Sequence, residues 1–212
     1  MSSQAKHSNF YKIGSSLVYI IYIGILWLLC SLPIVTIGPA STAMYYSMVK
    51  CVRHGRSHVS REFFGAFKSN FMPALKAWLV FLIPMLLWLF NLLINRQSDP
   101  EGIRMLTKLS FWLIVPLCFP LSWLFAYISR FENSLGDTLK YSLFLSVKNF
   151  MRTITMLLTV AAFAFVGLLA PVSIPLLPGL CCLVISLQTE PVFKAITAQH
   201  ENDENLDKWY NE

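Results

Sequence analysis

Two histidines four residues apart, His54 and His58, are the first place to look for chemistry in this chain. On a helix that spacing would bring both imidazoles to one face. No Asp, Glu or Cys completes a metal set with them, and they sit in a basic stretch, His54-Gly55-Arg56-Ser57-His58, that reads as solvated surface. The five cysteines, Cys30, Cys51, Cys118, Cys181 and Cys182, have no Cys-x-x-Cys spacing. Their odd number argues against a complete disulfide framework, and four of them lie in apolar runs, as buried free thiols do. There is no glycine-rich phosphate cradle, no His-Glu-x-x-His and no Gly-x-Ser-x-Gly. The expectation is therefore no catalytic residue, no metal ligand and no cofactor.

The elements that would carry any other function are apolar and long. Hydrophobic residues make up 56% of the 212 and charged residues 13%, about half the charge of a soluble domain. Charge and histidine are absent from Ile13 to Val49 and from Thr153 to Thr189, 37 residues each, and from the shorter runs Ala77–Asn95 and Leu109–Ser129. About 20 apolar helical residues cross a bilayer core. The short runs match one crossing each and the long runs nearly two. A surface helix needs a polar face, yet Leu79–Leu93 offers only Asn91. The fold class expected is all-α: a polytopic transmembrane bundle of about six passes, with two Pro/Gly-broken hairpins and two amphipathic interfacial helices. One transmembrane domain would cover residues 1–198 and a polar acidic tail 199–212. The first apolar run is far longer than a signal-peptide core and is kept as part of the mature chain.

Along the chain, a first crossing near Ser16–Leu32 is interrupted at Pro33. Thr36, Gly38 and Pro39 mark a break, followed by a short second helix toward Cys51 that either crosses or re-enters. The second break carries Pro175, Pro178 and Gly179, between a helix near Thr153–Ala170 and another near Leu180–Thr189 that is expected to stop at Glu190-Pro191. Crossings near Met72–Leu93, with Pro84 inside, and Leu109–Ile128 lie between. Arg53, Arg56, Arg61 and Lys68 form a basic interfacial surface, interleaved with an aromatic face of Phe63, Phe64, Phe67 and Phe71 on an amphipathic helix capped by Ser60. A second amphipathic helix has Leu139, Leu143, Val147 and Met151 at helical spacing, with Ser134 or Asp137 as its cap. Both amphipathic stretches end in similar junctions, Lys68-Ser69-Asn70-Phe71-Met72 and Lys148-Asn149-Phe150-Met151, a hint of internal repetition.

The expected crossings hold no buried carboxylate or histidine, which weakens a proton-coupled reading. Thr36, Ser41, Thr42, Asn91, Ser122, Ser173 and Gln188 are the remaining polar candidates, and helix packing is the plainer role for each. Six passes place both termini and the basic stretches in the cytoplasm, following the positive-inside rule. The net charge of +6 then belongs to topology and anionic lipid, and nucleic acid is not expected as a partner.

The run Ser31-Leu32-Pro33-Ile34-Val35-Thr36-Ile37-Gly38-Pro39-Ala40, with Ala43-Met44-Tyr45-Tyr46 and Arg61-Glu62-Phe63-Phe64-Gly65-Ala66-Phe67-Lys68-Ser69-Asn70-Phe71, resembles the YesL-like family of bacterial integral membrane proteins, a domain of unknown function. The likeness is strongest over residues 10–75. It implies a multi-pass protein of the cell membrane and an accessory role in carbohydrate uptake or utilisation, with a carbohydrate-transporter permease as a partner beside membrane lipids. It carries over no catalytic residue and no oligomeric state. Two other functions stand beside it: a small transporter using the broken helices, and a structural or lipid-interacting membrane protein.

Overall fold

The computed structural model describes residues 3–54, 58–95 and 116–199, and every regular element in them is helical. Helix α1 (Ser3–Cys30) carries the first apolar run. Pro33 lacks an amide hydrogen and disfavours helical geometry in the residue before it. The chain there passes through a 3-10 turn, Ile34–Thr36, into α2 (Ile37–Ser47), with Pro39 in its first turn. At 11 residues, α2 is about 16 Å long, roughly half a bilayer core. A π-helical turn, Met48–Arg53, extends it. Helix α3 (Val59–Ser69) follows His58, whose φ of 79° lies in the left-handed region. Ser60 therefore does not cap α3. It sits inside the helix, with its hydroxyl 2.9 Å from Tyr22 Oη.

Helix α4 (Phe71–Asn95) runs unbroken through Pro84, and the described part of α5 is Pro116–Ile128. Ser134 caps α6 (Leu135–Lys148), its hydroxyl accepting from the Asp137 amide at 3.2 Å. Helix α7 (Phe150–Leu169) ends before Pro171 and a second 3-10 turn, Pro171–Ser173. Helix α8 (Leu177–Gln199) then passes straight through Pro191. The expected stop at Glu190-Pro191 is thus corrected. Residues 109–115, the connector after α4, Arg56 and the tail from 200 on lie outside the described residues.

By length and apolarity, three helices qualify to cross a membrane: Phe71–Phe90 of α4, Phe150–Leu169 of α7 and Leu177–Thr197 of α8. Ser16–Cys30 and Pro116–Ile128 are apolar but shorter. Of the three qualifying helices α8 is the most buried and α7 the least, and α8 packs against α1, α7, α2 and the π turn. Its Phe193 joins Ile23, Tyr45, Met48 and Trp123 in the main core. A second cluster joins Trp78 of α4 to Leu124 and Ile128 of α5, and a third joins Leu26, Ala43 and Phe63.

The two basic-aromatic junctions are built alike. Asn70 ends α3, donating from both its amide (3.0 Å) and its side chain (3.1 Å) to the Ala66 carbonyl. Asn149 ends α6 with the same pair of bonds to the Leu145 carbonyl, at 2.9 and 3.2 Å. Each asparagine carbonyl then accepts at 3.0 Å from the first turn of the following helix, from Ala74 and Thr153 respectively.

Candidate functional site

Pro191 removes one backbone donor from α8, which disturbs the helical ladder one turn earlier. The carbonyls there are reached by cations. Arg53 donates from Nη1 to the Ser186 carbonyl at 2.9 Å, and Arg152 lies 3.5 Å from that of Gln188. Neighbouring groups that re-satisfy the backbone are what let a proline persist in an apolar helix.

At the same level α8 turns Thr189 and Glu190 inward, both fully buried. Tyr45 of α2 lies 2.6 Å from the Thr189 hydroxyl and donates to Glu190 Oε1 at 2.8 Å. Arg130, in the turn just beyond α5, donates from Nη2 to Glu190 Oε2, with side chains 2% and 1% exposed. Its guanidinium lies 5.8 Å from the centre of the Phe193 ring. Trp123 and Phe131 pack edge-on against that ring. Glu190 therefore lies in a helix apolar enough to span a membrane, which corrects the expectation that such segments hold no buried carboxylate. An isolated charge would be prohibitive there, whereas a paired and hydrogen-bonded one persists.

Arg130 also lines a polar cavity of about 810 Å³ with Tyr46, Glu62, Asn70, Glu132 and Asn133. Beside it Lys50 bridges Glu62 at 2.7 Å and Tyr46 Oη at 3.0 Å, tying α3 to the turn after α2. His54, beyond that turn, is held below its ordinary imidazole range, first by burial and then by the positive charge of Lys194. Among the described residues there is no cluster of three or more potential metal ligands. The arrangement can hold a charge pair and place hydroxyls and carboxylates around a polar recess.

The two breaks serve packing. Thr36 donates to the Cys30 and Pro33 carbonyls at 2.6 and 2.8 Å, locking the first turn below exposed Pro33. A Cβ on buried Gly38 would fall 2.5 Å from Trp78 Cβ, so α2 and α4 touch through it while Pro39 is buried beside it. In the second break, the Pro175 carbonyl lies against Gly24, half-buried Pro178 begins α8, and Gly179 packs on the Ile20 carbonyl of α1. The breaks thus contact different helices, and neither lines the cavity around Arg130. Of the other polar candidates, the Asn91 side chain lies outside the described residues, and the rest are engaged within the bundle. Ser41 accepts from Trp27 Nε1 at 3.1 Å, Thr42 donates to Gly38, Ser122 to Phe119 and Ser173 to Ala170, and Gln188 accepts from Thr155 at 2.7 Å.

The expected aromatic face divides. Phe63 is fully buried against α1 and α2, Phe67 and Phe71 are half-buried, Phe64 is exposed, and Phe71 belongs to α4 rather than α3. Arg61 and Lys68 are exposed. Sequence reasoning missed Arg130, Glu190 and Tyr45. The available signal was a lone carboxylate at the end of a 37-residue uncharged run, misread as a boundary because proline followed.

Residues 20–92 match the family described as protein of unknown function DUF624, from within α1 to near the end of α4. That stretch includes Tyr45, both halves of the Lys50–Glu62 bridge and the Gly38–Trp78 contact, but neither Arg130 nor Glu190. No curated protein and no solved structure matches the chain.

Proposed function

We propose that this chain is a non-enzymatic, multi-pass protein of the cell membrane, accessory to carbohydrate uptake or utilisation. The observation that carries the membrane part is α4. Val80, Ile83, Met85, Leu86, Leu87, Leu89, Phe90 and Leu93 of this one helix are all exposed, although Trp78, Phe81 and Leu82 pack inward. Water would penalise such a surface by roughly 25 cal/mol per Å², whereas lipid covers it at no cost. The six-pass arrangement counts α1, α2 with its π turn, α4, α5, α7 and α8. It places both termini and the Lys/Arg-rich segments in the cytoplasm, with α2 as a short member buried among its neighbours.

The accessory part rests on the YesL-like resemblance of residues 10–75, and on exposed Arg61 and Lys68 as groups that a partner could meet. Affinity purification from native membranes tests it, and a carbohydrate-transporter permease is expected in the eluate. Replacing Arg53, Arg56 and Arg61 together with lysine keeps charge and topology but removes the planar bidentate fork. Loss of the permease at normal membrane abundance supports docking through arginine. Unchanged recovery assigns these residues to topology and lipid attraction. A well-folded preparation that never recovers a permease counts against the carbohydrate reading.

A further inference from the structure

Helix α6 is inside out by the standard of a soluble protein. Its inward face carries three hydroxyls beside Leu145: Ser142 and Ser146 are fully buried and Thr138 nearly so. Its outward face is apolar, with Leu143 51%, Phe144 58% and Val147 65% exposed. The inner hydroxyls of Ser146 and Thr138 donate to their own helix, at 2.7 Å to the Leu143 carbonyl and 2.9 Å to that of Ser134. Small hydroxylated residues let helices approach closely where the surroundings are lipid. The exposed stripe continues through Phe150 and Met151 into α7, where Leu158, Val160, Phe165 and Leu168 are exposed as well. Two exposed lysines edge it, Lys140 and Lys148, with Lys148 Nζ 5.6 Å from the centre of the Phe144 ring.

We propose that α6 and the first turn of α7 form a half-immersed surface that binds anionic phospholipid. Leu143, Phe144, Val147 and Met151 enter the acyl boundary, and Lys140 and Lys148 meet the headgroups. Continuity with the apolar surface of α7 and the charge at the rim select a lipid leaflet as the occupant. The contrast is α3, whose Phe63 faces the bundle. This inference rests on the membrane reading above.

The full chain in bilayer discs tests it. A nitroxide is placed at Val147, at Leu87 of α4 and at Arg61 of α3, in a background lacking the native cysteines. If that background does not fold, a nitroxide-bearing non-natural residue at each site in the native chain replaces it. The Val147 probe should be relaxed by oxygen more than by a water-soluble nickel chelate, as at Leu87, and the Arg61 probe should show the reverse. A Val147 probe that favours nickel, or is shielded from both reagents by a second copy or another protein, overturns the proposal. An oxygen-shielded Leu87 would instead sink the membrane reading itself. In discs of mixed phosphatidylglycerol and phosphatidylcholine, a fluorophore at Val147 should be quenched more by spin-labelled phosphatidylglycerol, at least about two-fold. The exposed double variant Lys140→Gln/Lys148→Gln should abolish that preference. Equal quenching by both lipids in the native chain overturns the headgroup assignment.

Discussion

At the residue scale, the buried Arg130–Glu190 pair sets the largest single-site effects. Removing one member leaves the other charge buried without its partner, and such losses run to about 3–5 kcal/mol. Arg130→Met should therefore lower the detergent-solubilised unfolding midpoint sharply. The double variant Arg130→Met/Glu190→Met should recover much of that loss, because two apolar side chains pack where two charges stood. A double variant as unstable as the single one would show that the pair is not the coupled unit. Tyr45→Phe should cost less, since it deletes one donor to Glu190 and leaves the guanidinium in place. His54 gives a pH signature. Its folded pKa lies below the ordinary 6.5, so on acidification the unfolded chain takes up a proton before the folded one does. Stability should then fall as pH drops through 6.5 toward the lower folded value, and His54→Gln should flatten that part of the profile in unfolding measurements.

At the element scale, the breaks and junctions decide how helices meet. Gly38→Leu would drive a side chain into Trp78 Cβ and the Ala74 carbonyl. It should reduce membrane abundance and thermal stability far more than Leu28→Ala at a half-buried position. Equal abundance and midpoint for the wild type and the Gly38 variant would contradict the contact. Asn70→Leu and Asn149→Leu should each cost about 1 kcal/mol, since each removes one of the two bonds that close a helix end. Much of this was legible in the sequence. The apolar runs, the Pro33 and Pro171–Gly179 breaks, the Ser134 cap and the paired junctions follow from local rules about proline, glycine and capping groups. What was not legible was tertiary. Ser60 looks like a cap by type, but the left-handed His58 starts the helix earlier. Pro191 looks like a stop, but Arg53 and Arg152 reach the carbonyls around it from helices far away in sequence. The alternation of Arg61 and Lys68 with phenylalanines suggests one aromatic face, yet Phe63 turns inward and Phe71 starts another helix. No window of sequence contains Tyr45, Arg130 and Glu190 together.

At the scale of the whole molecule, the apolar outer surface and the basic segments define the topology test. Cysteines introduced at Ser57 and Gly136 should be protected from an impermeant reagent in intact cells, and one at Ser98 should react. Gly136 is used because it is exposed, while Ser142 on the same helix is fully buried and would be silent on either side. Reaction at position 57 from outside would end the six-pass assignment. The close approach of α1 to the second break and the start of α8, where Gly24 meets Pro175 and Gly179 meets Ile20, bears also on biosynthesis. Helix α1, made early, is completed by α8, made late. At ordinary elongation rates the stretch from Tyr45 to Glu190, a sequence separation of 145, takes on the order of 10 s to make. Throughout that interval the Gly24 face of α1 and the Tyr45 hydroxyl lack the contacts that the later segment supplies. A nascent chain halted after Ala170 exposes both to the membrane quality-control machinery. Its half-life in a pulse-chase experiment should be much shorter than that of the 212-residue chain, and supplying α8 in trans should lengthen it.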